Sequence, residues 1–318
     1  LGDLTYNTVS LSTEVFPLNI AYIASYCNER FGNDIEITLF KYIEDLEDAI
    51  NSDPPDVLGL SNYVWNYRID LEMFRILKEK NPDAVTVWGG PNFPSDIKSQ
   101  EIFLKNCPQL DVYVPIDGES GFSNIIERML QISTNSNFLK NIRETPIDGC
   151  ITKNFDGHLS FSNSPNRINN LDEIPSPYLS GLLDKFFDDK LSPMIQTARG
   201  CPFSCSFCVD GSDLVNKVNK FSSNRVDSEL EYISKKTSDK VHSLHIADLN
   251  FGMYPRDLDI CDSIVRMQEK YDYPKFINTA TGKNQKEKII KAIKRLNGTM
   301  LIAMSVQSMD QNVLKNIR

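Results

Sequence analysis

The stretch Arg199-Gly200-Cys201-Pro202-Phe203-Ser204-Cys205-Ser206-Phe207-Cys208 places three of the chain's seven cysteines within eight residues. The other four, Cys27, Cys107, Cys150 and Cys261, stand singly, so the spacing offers no disulfide framework. This usage predicts a reducing, cytoplasmic setting, where a triplet of thiols is a metal site more often than a disulfide. Three soft sulfur ligands on one tight loop suit zinc or an iron–sulfur cluster. Structural zinc takes four ligands, usually as two pairs, and no second Cys-x-x-Cys or His-x-x-x-His pair follows downstream. His242 and His245 are the nearest histidines and make poor fourth ligands. A four-iron cluster held by only three cysteines leaves one iron with an open position, as catalytic metal sites do.

The spacing Cys201-x-x-x-Cys205-x-x-Cys208, with aromatic Phe207 just before the last cysteine, resembles the cluster loop of the radical S-adenosylmethionine (radical SAM) superfamily. In that family the unligated iron chelates the amino and carboxylate groups of S-adenosylmethionine. One electron then cleaves the sulfonium to methionine and a 5′-deoxyadenosyl radical. The resemblance implies that Cys201, Cys205 and Cys208 hold a 4Fe-4S cluster, that Phe207 lies near the adenine, and that an electron donor such as a flavodoxin or ferredoxin is a partner. A zinc knuckle, or a redox pair at Cys205 and Cys208, competes for the same spacing.

At 318 residues the chain exceeds one typical core, and two domains are expected. Its 41% hydrophobic and 24% charged residues are ordinary for a soluble globular protein, and no apolar run is long enough to cross a bilayer. No signal peptide pattern is present. A formal net charge of −9 argues against phosphate-driven binding of nucleic acid, which calls for a basic face. The chain starts at Leu1 without methionine and stops at Arg318 inside an expected helix over 310–318, which predicts missing pieces at both ends.

Upstream of the cysteines, strands and helices alternate. Strands are expected over 1–5, 35–40, 56–61, 84–88 and 112–114, and helices over 17–31, 42–51, 69–80, 98–105 and 122–130. This alternation predicts a doubly wound (Rossmann- or flavodoxin-like) parallel sheet over 1–132, with ligands beyond the carboxyl ends of its strands. Those ends carry Ser61-Asn62-Tyr63, Gly89-Gly90-Pro91 and Asp117-Gly118-Glu119-Ser120-Gly121, and glycine pairs let a ligand approach the backbone closely. Taken alone, such glycines most simply make turns.

Beside the cysteine loop, this half resembles the cobalamin-binding domain that precedes the radical module in one subclass of the superfamily. The resemblance implies that Ser61, Gly89, Gly90 and Glu119 contact cobalamin. The subclass's lower-ligand histidine has no counterpart: no histidine precedes His158, and the loop over 12–19 holds Phe16 instead. Either cobalamin binds without a protein histidine, or the domain has lost the cofactor.

Residues 133–191 form an expected connector enriched in Asn, Ser, Asp and Pro, with a hairpin over 151–159 turning at Asp156-Gly157. His158 reads as a solvated strand residue. From 192 to 318, strands are expected over 194–198, 243–247, 276–280 and 300–306, with helices over 228–235, 256–269 and 286–296. The cysteine loop therefore sits at a strand's carboxyl end, the catalytic face of a (β/α) barrel. The family's partial (β/α)6 barrel would be incomplete here, with four units visible. The resemblance further implies that Asp248 and Asn250, in Asp248-Leu249-Asn250-Phe251-Gly252, and Ser305 and Gln307, in Ser305-Val306-Gln307-Ser308, border S-adenosylmethionine. Carboxylate, amide and hydroxyl groups suit a sulfonium ligand with a zwitterionic end and a ribose. Asp248 and Asn250 as simple caps, and His245 as a packing residue, are the structural alternatives.

The expected function is thus radical chemistry begun by reductive cleavage of S-adenosylmethionine, with cobalamin supporting methyl transfer to an unactivated carbon or phosphorus centre of a small-molecule or peptide substrate. The alternatives are a radical SAM enzyme whose first domain is a platform without corrin, and a zinc-binding interaction protein.

Overall fold

The computed structural model describes every residue except 12, 133–137, 155, 157, 163–166, 213–214, 283, 301–306 and 318. The chain divides into two compact units, one of residues Leu1–Thr13 and Asn19–Ile168, the other of Glu14–Leu18 and Asn169–Arg318.

The first unit contains helix α1 (Leu18–Phe31), α2 (Ile43–Ser52), strand β1 (Val57–Ser61), α3 (Tyr67–Lys80), β2 (Val85–Gly89), α4 (Ile97–Lys105), β3 (Val112–Val114), α5 (Gly118–Gln131), α6 (Phe138–Glu144), β4 (Ile151–Lys153) and β5 (Leu159–Phe161). Its sheet runs β1-β2-β3-β4-β5. The first three strands are parallel, with Val57 opposite Val85 and Val87 opposite Val112, and β4 and β5 add to them antiparallel. The hairpin therefore continues this sheet. Residues near the start of the chain also join it, because Gly2 bridges both Phe40 and Leu60. The strand expected over 35–40 shortens to that bridge at Phe40, since only one end of it meets a neighbour.

Period-two alternation sends successive side chains to opposite faces, and each face has its own core. Trp88 and Tyr113 pack with Leu46, Phe74 and Leu77 on one side. Val85, Val87, Val112 and Val114 pack with Phe122, Ile125 and Ile142 on the other. Burial on both faces explains why these strands read as continuous apolar runs. Each large side chain so buried contributes roughly 1.5–3 kcal/mol. At the amino end of β3, the buried Asp111 carboxylate accepts from Lys78 Nζ at 2.6 Å, Arg143 Nη2 at 2.9 Å, Thr86 N at 3.1 Å and Thr86 Oγ1 at 3.0 Å.

Helix α5 starts at Gly118, four residues before the expected start at 122. A side chain at Gly121 would stand 2.5 Å from Val114 Cγ1 and 2.9 Å from the Gly149 carbonyl, so the glycine serves close helix-to-strand packing.

The second unit contains β6 (Met194–Ile195), β7 (Ala198–Arg199), β8 (Asn219–Lys220), α7 (Ser223–Lys236), β9 (Ser243–Phe251), α8 (Arg256–Tyr271), β10 (Phe276–Thr281), α9 (Lys286–Arg295) and α10 (Gln311–Asn316). Strands β10, β9 and β6 form a parallel sheet in that order, and α7, α8 and α9 supply the helical turns of repeating β/α units. Met300 bridges Ile277 in parallel where the fourth strand is expected, and the rest of that strand lies outside the described residues. Among the described residues no closed barrel forms. Helix α7 starts at Ser223, earlier than expected, because the Ser222 side chain caps it by accepting from Arg225 N. Its buried Glu229 accepts from Ser176 Oγ at 2.6 Å and Arg225 Nε at 2.7 Å.

Candidate functional site

Strands β7 and β8 pair antiparallel and clamp the two ends of the cysteine loop. Gly200 takes φ +106°, and a side chain there would collide with the Lys217 carbonyl. A side chain at Gly211 would likewise meet the Cys205 carbonyl. Within the loop, Cys208 N donates to the Cys205 carbonyl at 3.1 Å and Gly211 N to the Cys208 carbonyl at 3.0 Å. Cys201 is buried, Cys205 and Cys208 are half-buried, and the three are not in disulfides. Phe207 is 48% exposed. Among the described residues no three His, Cys, Asp or Glu side chains converge closely enough to grip a single metal ion.

Strand β9 supplies the floor. Its alternation puts Asp248 and Asn250 on one face, both buried. Asp248 Oδ1 accepts from Thr197 N at 2.7 Å and Ala198 N at 3.0 Å, and its other oxygen accepts from Thr197 Oγ1. Burial pushes this carboxyl up to about 6 despite those donors. Asp248 thus fastens the backbone leading into the cysteine loop. Asn250 Nδ2 donates to Cys201 Sγ at 3.3 Å. Gln307 is exposed, and Ser305 lies outside the described residues. His245 is half-buried within hydrogen-bonding distance of Asn278, with its pKa lowered by burial, as a packing residue would be. Beside the loop lies a cleft of about 320 Å³, lined by Pro202, Phe203, Met253, Tyr254, Gln285 and Lys288 among others. Neither Thr197 nor this lining was legible as functional, because both depend on which loops meet.

In the first unit the sought residues gather at the carboxyl ends of the parallel strands. Ser61 Oγ donates to Asp3, whose carboxylate also pairs with the fully buried Lys41 at 3.0 Å. Lys41 Nζ reaches Thr13 Oγ1 at 2.7 Å as well. Gly90 takes φ +123°, and a side chain there would stand 2.7 Å from the Asn62 carbonyl. Asn62 N donates to the Gly89 carbonyl at 2.6 Å, and Tyr113 Oη donates to the Gly90 carbonyl at 2.6 Å. Glu119 is buried in the first turn of α5. Between β1 and α3, Tyr63 and Trp65 stack with centroids 4.5 Å apart, and Trp65 is 39% exposed beside the exposed Val64. Aromatics in a strand-end loop, which the sequence displays as Tyr63-Val64-Trp65, were the overlooked signal.

Phe16 belongs to the second unit, where its ring lies 4.9 Å from that of Phe187 and 6.1 Å from that of Tyr178. The isolated cysteines are buried, and burial pushes the Cys27, Cys150 and Cys261 thiols up to about 12, so they are packing residues.

Comparison with known proteins agrees with this layout. Residues 5–126 match the B12 binding domain family. The chain is 30% identical over 297 residues to a 2-(S-pantetheinyl)-carbapenam-3-carboxylate methyltransferase of Streptantibioticus cattleyicolor, covering 90% of this chain and 41% of that protein. It is 29% identical over 284 residues to the cobalamin-dependent radical SAM methyltransferase TokK of Streptomyces tokunonensis, covering 86% and 39% respectively. The chain therefore spans about two fifths of the length of these relatives. Among solved structures, the cobalamin-dependent S-adenosylmethionine radical enzyme OxsB shares the fold with a TM-score of 0.69 at 19% identity, over 99% of this chain and 45% of that one. The radical S-adenosylmethionine methyltransferase TsrM from Kitasatospora setae shares it with a TM-score of 0.62 at 12% identity, over 93% and 59%. In its three-cysteine loop and in the B12 binding domain match over residues 5–126, the chain is similar to cobalamin-dependent radical SAM methyltransferases.

Proposed function

We propose that this chain forms the cobalamin-binding and radical SAM portions of a cobalamin-dependent radical SAM methyltransferase. The observation that carries the reading is the three-thiol loop, folded tightly on itself at Gly200 and Gly211 and fastened to the buried polar face of β9, in one chain with a B12 binding domain. The named relatives, two of them methyltransferases with about 30% identity over most of this chain, support it.

The residues fit the cofactors. Three thiols on one loop, outside any disulfide, are the soft donor set of an iron–sulfur cluster, and Cys201, Cys205 and Cys208 would hold it. Gly90 lets the backbone pass tightly against Asn62 at the strand ends, and the partly exposed Trp65 ring stacked on Tyr63 offers an aromatic face there for a large planar ligand. Ser61, Gly89, Gly90 and Glu119 would border cobalamin. When bound, these groups supply the electron for sulfonium cleavage and a carrier for the methyl group.

The chain's own contributions are positional. Gly200 and Gly211 admit the loop's turn, and Asp248 fixes its entry strand. Phe207 offers an exposed ring for the adenine, Asn250 and the exposed Gln307 would be further borders of the S-adenosylmethionine site, and Ser305, assigned to the same site, lies outside the described residues. The substrate class is a small molecule or peptide with an unactivated carbon or phosphorus centre. A flavodoxin or ferredoxin would donate electrons in a cytoplasmic setting, in keeping with seven cysteines outside any disulfide.

Anaerobic reconstitution with iron and sulfide tests the first half: about four irons per chain and 5′-deoxyadenosine on reduction with S-adenosylmethionine are expected. A folded protein that stays colourless and iron-free overturns it. Titration with hydroxocobalamin tests the second half, and failure to retain corrin colour would favour a first domain without cofactor, the reading that Phe16 in place of histidine motivates.

A further inference from the structure

The side-chain amide of Asn250 is directed at sulfur. Its Nδ2 lies 3.3 Å from Cys201 Sγ, and both side chains are buried. The same strand face fastens the loop two residues earlier through Asp248, so the donor and its acceptor are held from both sides. Cys205 and Cys208 are more exposed than Cys201, so the thiol that meets the Asn250 amide is also the one furthest from water. A hydrogen bond in such a low-dielectric position is electrostatically strong.

We infer that Asn250 sets the reduction potential of the cluster by donating to the Cys201 sulfur. This rests on the proposal that Cys201, Cys205 and Cys208 hold a cluster. An N–H donor draws electron density from a thiolate ligand and favours the reduced state, which carries one more negative charge. Asn250 is therefore a positioning and tuning residue for the cluster, a role separate from bordering S-adenosylmethionine.

The test is a redox titration of the reconstituted protein without S-adenosylmethionine, followed by the paramagnetic signal of the reduced cluster. Asn250→Leu keeps the approximate volume and removes the donor. Reduction should become about tenfold less favourable, a fall of about 59 mV for a one-electron couple, while iron and sulfide content stay at wild-type levels. A purely packing role would leave the midpoint unmoved. Should Asn250→Leu not fold, Asn250→Ser and Asn250→Ala form the comparison, and the hydroxyl donor should give the higher midpoint. Equal midpoints in the pair that folds overturn the inference. Wild-type protein that binds no iron overturns the cluster reading beneath it, a separately visible outcome.

Discussion

Asp248 accepts three hydrogen bonds in the interior and is nonetheless pushed up to about 6, because burial penalises its charge more than Thr197 and Ala198 relieve it. A raised folded-state value means the folded protein holds this proton more tightly than the unfolded chain does. The resulting stabilisation is fully present below the ordinary carboxylate value and is lost as pH rises through about 6. Asp248→Asn can keep both backbone bonds on its carbonyl oxygen and turn the third around, its amide donating to Thr197 Oγ1. We expect this variant to fold and to lose the pH-dependent component, on the order of 2 kcal/mol between pH 4 and 7, in urea unfolding compared with wild type. Asp111 makes a different case, since its carboxylate serves Lys78, Arg143 and Thr86 together. Asp111→Ala strands those donors and should cost about 3 kcal/mol by the same measurement.

A loop holds its shape here through backbone that only glycine can follow. Gly200→Ala places a methyl against the Lys217 carbonyl at a φ that other residues avoid, so the β7–β8 clamp has to open. Reconstituted Gly200→Ala should retain less than half the iron of wild type, with little change in far-ultraviolet circular dichroism. Much of this level was legible in the sequence. The apolar runs of β1, β2 and β3 announce burial on both faces, and the cysteine spacing announces the loop. The start of α5 was not legible, because Gly118 and Gly121 read as loop formers while in the fold they bring the helix against Ile23 and Val114. Nor was the partner of Asp248: strand alternation predicts which face a side chain takes, whereas the neighbour it meets depends on Thr197, 51 residues away.

Each unit has its own buried sheet, so one cooperative transition is not expected for the chain. Hydroxocobalamin at a hundredfold excess over its dissociation constant should stabilise the first unit by about 2.7 kcal/mol, and iron chelation should shift only the transition of the second. Differential scanning calorimetry of apo, corrin-loaded and chelated protein checks both shifts. The placement of the chain's two indoles makes this separation observable by light. Trp65 is partly open to water on its stack with Tyr63, Trp88 is sealed in the core against Asp70, and both belong to the first unit. Tryptophan emission consequently originates in the first unit, and the half that carries the three-cysteine loop has no indole of its own. A corrin arriving at the strand ends would dim the outer indole before the inner one, so the molecule carries its own spectroscopic label for the first cofactor and none for the second.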